Sequence, residues 1–298
     1  MNPPFFTVVV PTYNRAHMIT ATLDSLLAQT YADFEILIID DGSTDDTEAT
    51  VKPYLSERVH YLRKSNAERA AARNYGSARA QGSYVNFFDS DDLAYTNHLQ
   101  VARDLLDQHG SPEWFHLGYN TLTPEGKELR RVDHFESGNL QASFPAGNPL
   151  SCNGVFLRTD VARDFPFQED RALAASEDYH LWYRLAARFP LHFSNVVTSG
   201  VVEHDMRSVR VFNGPQLLRR QRLLLTLLGS DPVIQHTYGD RFYLTRCEVH
   251  SYLALHLAEL PRWKVRSMRE LALSLSASPR SCLKRRFLAT LRNLLFRW

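Results

Sequence analysis

Three short apolar runs constrain this chain more than any other feature. Phe5 to Val10, Phe34 to Ile39 and Tyr84 to Phe88 are strand-length, rich in β-branched and aromatic residues, and lack a polar alternation. A strand with no polar side is buried on both faces, as in a parallel sheet covered by helices. Between the first two runs, Ile19, Leu23, Leu26 and Leu27 recur at helical spacing. After the second, Gly42 permits a turn and Ser43 or Thr44 is expected to cap a helix. "RVHYLRK" reads as a further strand, and "NAERAAARNYGSARAQG" as a helix of small residues closed by Gly82. Strands alternating with helices through short loops predict an α/β fold with a Rossmann-like, mostly parallel central sheet.

Downstream, Asn97 to His109 reads as a helix and "EWFHLGYNTL" as a strand, with loops or a hairpin between Thr123 and Pro149. "NGVFLRTDVARDF" gives a strand and short helix, Glu177 to Phe189 a helix, and "LHFSNVVTSGVVEHD" strands. Beyond Gln216 the pattern is helical only, with Leu217, Leu218, Leu224, Leu225 and Leu228 on one stripe. The expected organisation is a main domain over 1–212 and a helical C-terminal extension over 213–298.

The 298 residues carry a net charge of only +1, which gives no reason to expect a nucleic-acid partner. The charge is uneven: residues 262–298 hold ten basic side chains against one acid, Glu270. Such a tail points to an anionic surface. Three widely spaced cysteines, Cys152, Cys247 and Cys282, fit a reducing compartment. The N-terminal stretch lacks the basic and apolar regions of a secretory signal, and no apolar run has the length of a membrane span. The expectation is a cytoplasmic protein, at most peripheral on a membrane.

The acids are concentrated where chemistry is expected. In open α/β sheets ligands bind outside the carboxyl ends of the strands. Asp40 and Asp41 end the second apolar run, and Asp89, Asp91 and Asp92 follow the third. Clustered carboxylates need compensation, and a divalent cation, Mg2+ or Mn2+, suits hard oxygen ligands shared with substrate phosphates. Read locally, the same "DSDD" is also an acidic loop with Asp92 capping the next helix. Asp40 and Asp41 are suited to a ribose hydroxyl or a base N–H, or equally to an Asx turn. Glu177 and Asp178 open a helix, whose dipole favours the ionised carboxylate a general base requires, though acids in a first turn are ordinary. His204, with Arg207 and Arg210, follows an apolar run and offers metal or phosphate chemistry.

The order "VVVPTYNR", "IIDDGSTDDT", "AARNYGSARAQGSYVNFFDSDD", "SEDYHLWYRLA" and "EHDMRSV" closely resembles the family 2 glycosyltransferases over roughly residues 5 to 210. These are inverting enzymes with the A-type nucleotide-diphospho-sugar transferase fold. The resemblance implies that Pro11, Thr12, Tyr13 and Asp41 surround the base and ribose, with Asp40 beside them, and that Arg73 and Asn74 lie near the nucleotide. It implies Asp89 and Asp91 as the D-x-D pair at ribose and metal, Asp92 as an extra acid, and His204 near the metal or diphosphate. Asp178 corresponds to the catalytic base and Glu177 to its companion. The implied donor is a nucleotide-diphospho-sugar, with a UDP-sugar the commonest in the family, and the implied acceptor a glycan or lipid-linked glycan in a cell-surface polymer.

Two other functions fit parts of the pattern. A nucleotidyltransferase shares the sheet but carries a Gly-rich loop where this chain has "PTYNRAH", and a non-catalytic nucleotide-binding or membrane-associated protein has no need of Asp91 and Asp178. The C-terminal "SPRSCLKRRFLATLRNLLFRW" departs from the family and forms an amphipathic basic helix, with Phe287, Leu288, Leu291, Leu294 and Leu295 at helical spacing. It is suited either to an anionic membrane, on the inner face of the cell membrane, or to docking on the domain with a solvated basic face.

Overall fold

A computed structural model describes residues 3–136, 139–204 and 213–296. The chain forms two compact units that do not follow sequence order: one takes residues 1–140, 150–171 and 189–207, the other 141–149, 172–188 and 208–298. The expected boundary at 212 falls in 205–212, outside the described residues, as do Arg207 and Arg210.

The first unit is built on one mixed sheet. Its strands are β1 (Phe6–Thr12), β2 (Phe34–Asp40), β3 (Val59–Arg63), β4 (Tyr84–Phe87), β5 (Leu93–Ala94), β6 (Trp114–Leu122), β7 (Glu128–Val132), β8 (Val155–Arg158) and β9 (His192–Val202). The order is β3-β2-β1-β4-β8-β6-β9-β5, with β7 forming a hairpin on β6. β3, β2, β1 and β4 are mutually parallel, β8 runs against both of its neighbours, and β9 is parallel to β6. Every residue of β1 and β2 is buried, including Thr7 and Glu35, where the Thr7 hydroxyl donates to the Glu35 carboxylate. Val8, Val10, Ile36 and Ile38 face one core with Leu23, Leu26 and Leu105. Val9 and Ile39 face the other side, where the helix Glu68–Ser77 lies so close that a Cβ on Gly76 would fall 2.4 Å from Val9 Cγ1.

Two local expectations are corrected. Gly82 does not close the Glu68–Ser77 helix, which has already ended; a Cβ there would sit 2.6 Å from the backbone nitrogen of Thr7, so close backbone approach is its reason. Neither Ser43 nor Thr44 caps the helix Thr47–Val51, because Asp45 Oδ1 accepts the Thr47 amide instead and Ser43 Oγ accepts from the Asn14 amide.

The sheet also buries an imidazole. Asn86 donates both amide protons to the carbonyls of Asn153 and Val155, so its Oδ1 accepts from His98 Nε2, and His98 Nδ1 accepts from the Thr198 hydroxyl. Burial lowers the His98 pKa to about 3, and that of buried His116 likewise to about 3. A depressed folded pKa means that the unfolded chain binds the proton first. The stabilisation is therefore complete above the unfolded value near 6.5 and is lost as pH falls toward 3. Each such histidine should cost about 1.4 kcal/mol per pH unit below that value. Melting curves between about pH 7 and about pH 5 should show this loss, and His98→Gln should flatten the slope; an unchanged slope would contradict it.

The second unit is helical. Gly214–Ser230, Pro232–Tyr238, Phe242–Ala258, Lys264–Ala277 and Arg285–Phe296 join the Glu177–Ala186 helix, and Trp182, Tyr183, Leu185, Leu224, Leu228, Ile234 and Leu257 form its core. Asp231 caps Pro232–Tyr238 by accepting the Val233 and Ile234 amides while Arg188 pairs with its carboxylate. Among the described residues no helix is long and apolar enough to cross a membrane.

Candidate active site

Parallel register brings the carboxyl ends of β1 and β2 side by side, with Thr12 opposite Asp40. The Asp41 amide donates to the Thr12 carbonyl, and Asn14, in the left-handed region at φ 52, accepts the Thr44 amide on its Oδ1. These bonds lace the two loops together. Pro11 is buried at the strand end, the Thr12 hydroxyl is buried without a hydrogen-bond partner, and Tyr13 is 45% exposed.

Asp40 and Asp41 are both engaged within the protein. Asp40 accepts from the Ser43 amide and the Tyr61 hydroxyl, and burial followed by that hydrogen bond pushes the Tyr61 pKa up. Asp41 accepts from Lys64 Nζ at 2.7 Å and from the amides of Ala67 and Glu68, which open the next helix. A ligand hydrogen bond to either carboxylate must be added to, or exchanged for, one of these.

Beyond β4 the chain turns through the acid cluster, in which Asp89, Asp91 and Asp92 each place a carboxylate oxygen within 4.8 Å of the others. Asp89 accepts from Arg73 Nη2 at 2.7 Å, while its own amide donates to Asn153 Oδ1. The Arg73 guanidinium is buried and lies 5.3 Å from the centre of the Phe167 ring. Asn74 is rotated about 100° further round the helix. Its amide engages the Phe167 backbone and Glu169, which secures that loop rather than the acid cluster.

Asp91 Oδ2 lies 3.0 Å from His204 Nε2 and 3.7 Å from Arg15 Nε. His204 arrives directly after β9, and its other ring nitrogen is buried without a hydrogen-bond partner. Asp92 differs from its neighbours. It is 1% exposed, accepts from Asn153 Nδ2 at 2.7 Å and from the Val202 amide at 2.8 Å, and so ties the acid loop to β9. It does not cap the following helix, which begins at His98.

The cluster could hold a hard divalent ion, which takes carboxylate oxygens as ligands. Asp89 and Asp91 are the partly exposed carboxylates of the three. Arg15 and Asn153 were not singled out by pattern. The first lies in the quoted "PTYNR", and the second in an Asn-Gly pair that marked only the entrance to β8.

Asp178 belongs to the second unit. It occupies the first turn of Glu177–Ala186, where Oδ1 accepts the Tyr179 amide at 2.7 Å and Oδ2 faces Asn148 Nδ2 at 3.3 Å. Ala175, just ahead, has φ 68, an uncommon conformation for alanine and one that marks a constrained loop. Glu177 is 2% exposed. Within this unit Asp178 opens on a cavity of about 810 Å³ lined also by Asn148, Gln221, Tyr252, Lys284 and Arg286.

Residues 7–115 match the profile of glycosyl transferase family 2. Over these residues the chain belongs to this family. An uncharacterized glycosyltransferase of Rickettsia felis is 31% identical over 210 residues, which are 70% of this chain and 33% of that protein. The chain thus spans about a third of the length of the first rickettsial relatives it matches. The Escherichia coli UDP-Glc:alpha-D-GlcNAc-diphosphoundecaprenol beta-1,3-glucosyltransferase WfgD is 37% identical over 107 residues, 36% of this chain and 42% of that one. Among solved structures, S. aureus TarS in complex with UDP-GlcNAc superposes with a TM-score of 0.70 at 20% identity, covering 97% of this chain and 88% of the other. A Pyrobaculum calidifontis mannosyltransferase in complex with GDP-Man and Mn2+ gives 0.59 at 18% identity, covering 98% and 88%. The fold is therefore the A-type fold of family 2, a mixed and mostly parallel sheet with C-terminal helices.

Proposed function

We propose that this protein transfers a sugar, with inversion, from a nucleotide-diphospho-sugar to an acceptor hydroxyl. The observation that carries the reading is the acid cluster at the carboxyl end of β4, with His204 against Asp91. Asp89, Asp91 and His204 are the residues that would hold Mn2+ or Mg2+. The ion, when bound, neutralises the charge that develops on the departing diphosphate.

The remaining steps belong to the chain. Asp178 accepts the proton of the acceptor hydroxyl as that oxygen bonds to the anomeric carbon, and the bond to the diphosphate oxygen breaks with its electron pair leaving on the nucleotide. Asn148 holds one oxygen of Asp178, and the Tyr179 amide holds the other, so the carboxylate keeps one orientation. Arg73 positions Asp89 through their ion pair. Tyr13 offers an exposed ring to a base. Uridine is the proposed base and a lipid-linked glycan of a cell-surface polymer the proposed acceptor. The ligand of TarS and the donor and acceptor named for WfgD support both.

A thermal-shift panel of UDP, GDP, CDP and TDP tests the donor side. At a hundredfold excess over Kd a ligand adds about 2.7 kcal/mol, so one nucleotide should raise the melting temperature by several degrees, and only with Mn2+ present. Stabilisation that ignores the metal, or none from any nucleotide, would reject the donor assignment.

A further inference from the structure

The C-terminal helices of the second unit are amphipathic the wrong way round for a simple docked appendage. Lys264–Ala277 and Arg285–Phe296, joined through the turn Pro279–Leu283, pack on Phe242–Ala258. Much of what they bury is polar. The Ser267 hydroxyl donates to the Ala254 carbonyl and that of Ser274 to the Cys247 carbonyl, Glu270 pairs with His250 and Arg266, and Thr290 and Asn293 are 0% and 3% exposed. Large apolar side chains point outward instead: Leu283 is 81% exposed, Leu288 60%, Leu295 63%, Val265 77% and Met268 51%. Exposed single leucines are ordinary, but a stripe of them beside arginines is the pattern of an interfacial helix.

The charge identifies the occupant. Arg285, Leu288, Arg292 and Leu295 share one exposed helical stripe, with exposed Arg280 just before it. From residue 262 to 296 the one acid is Glu270, and it is 1% exposed. A second copy of the chain on this stripe would set arginine against arginine with no acid to pair them. An anionic bilayer supplies both an apolar layer for the leucines and headgroups for the arginines. We infer that the Pro279–Phe296 segment, docked on its own unit by its polar face, is a membrane-binding surface selective for anionic lipid.

The same turn has an inward side. Lys284 and Arg286 pair with Glu248 and line the cavity that holds Asp178, whereas Leu283, Arg285 and Leu288 face out. If the transfer reaction proposed above holds, bilayer docking places that cavity beside an acceptor carried by lipid. Membrane binding itself does not depend on that reaction.

Co-sedimentation of the full chain with vesicles tests the inference. Binding is expected to phosphatidylglycerol-containing vesicles, to be at least about tenfold weaker on pure phosphatidylcholine, and to fall at high salt. Leu283→Ser with Leu288→Ser should lower binding to the anionic vesicles roughly tenfold without changing the melting curve, since both side chains are exposed. Arg285→Gln with Arg292→Gln should lower it roughly 30-fold, at about fivefold per basic residue. The second pair decides the matter if the first fails to fold. Asp178→Asn should bind vesicles as the parent does, which separates this result from the catalytic one. Equal binding to both vesicle types, or binding that survives both double substitutions, would overturn the inference. So would a stable dimer in solution that the leucine substitutions dissociate, because the occupant would then be a second copy.

Discussion

Asp178→Asn is expected to lower turnover roughly 10³-fold, within the range that a positioned general base contributes. The side chain keeps its size and can still accept the Tyr179 amide through its remaining oxygen, but it no longer accepts a proton. The loss should therefore fall on kcat, with nucleotide binding measured by thermal shift unchanged, because on this reading Asp178 acts on the acceptor hydroxyl and not on the nucleotide. An equal loss in nucleotide affinity, or near-normal turnover, would remove Asp178 from the role of base. Donor hydrolysis to water serves as the assay until an acceptor is in hand.

The second large effect is expected at Asp91. Asp91→Asn removes a negative charge from the oxygen nearest His204 and leaves Arg15 facing a neutral amide. Loss of an outer-shell partner alone costs about 10–100-fold in metal affinity, so loss of a direct ligand should cost at least roughly 100-fold. The readout is the Mn2+ concentration needed for nucleotide-dependent stabilisation. Asp92→Asn should behave differently. Its oxygens hold Asn153 and the Val202 amide, so the melting temperature should drop while the metal requirement of the remaining folded protein stays close to the parent's. If Asp92→Asn raised the Mn2+ requirement as much as Asp91→Asn, the division between ligand and strut would be wrong.

That division was not legible in "DSDD". Three aspartates in four positions look alike until β9 returns to β6 and brings the Val202 amide and His204 to the same loop from over 100 residues away. The same holds for Asn74, which beside Arg73 looks like part of one element but turns to a different neighbour around the helix. Gly82 looked like a helix stop because both a C-cap and a close backbone approach call for glycine, and only the position of Thr7 distinguishes them. The basic C-terminal helix was readable as amphipathic, yet which face it buries depends on Phe242–Ala258, whose Glu248 pairs with Arg286.

The amino-acid sequence alone determined the class of sheet, its buried strands and the ends at which the acids stand, because strand burial and turn chemistry are written in patterns a few residues long. It also determined that Glu177 and Asp178 open a helix. Tertiary structure decided which partners each acid meets, since a carboxylate's role depends on the donors that other strands deliver to it. It also decided that 172–188 joins the C-terminal helices in one unit rather than the sheet before it. Local sequence has no means of recording that choice, because it follows from which apolar faces remain uncovered once every strand has paired.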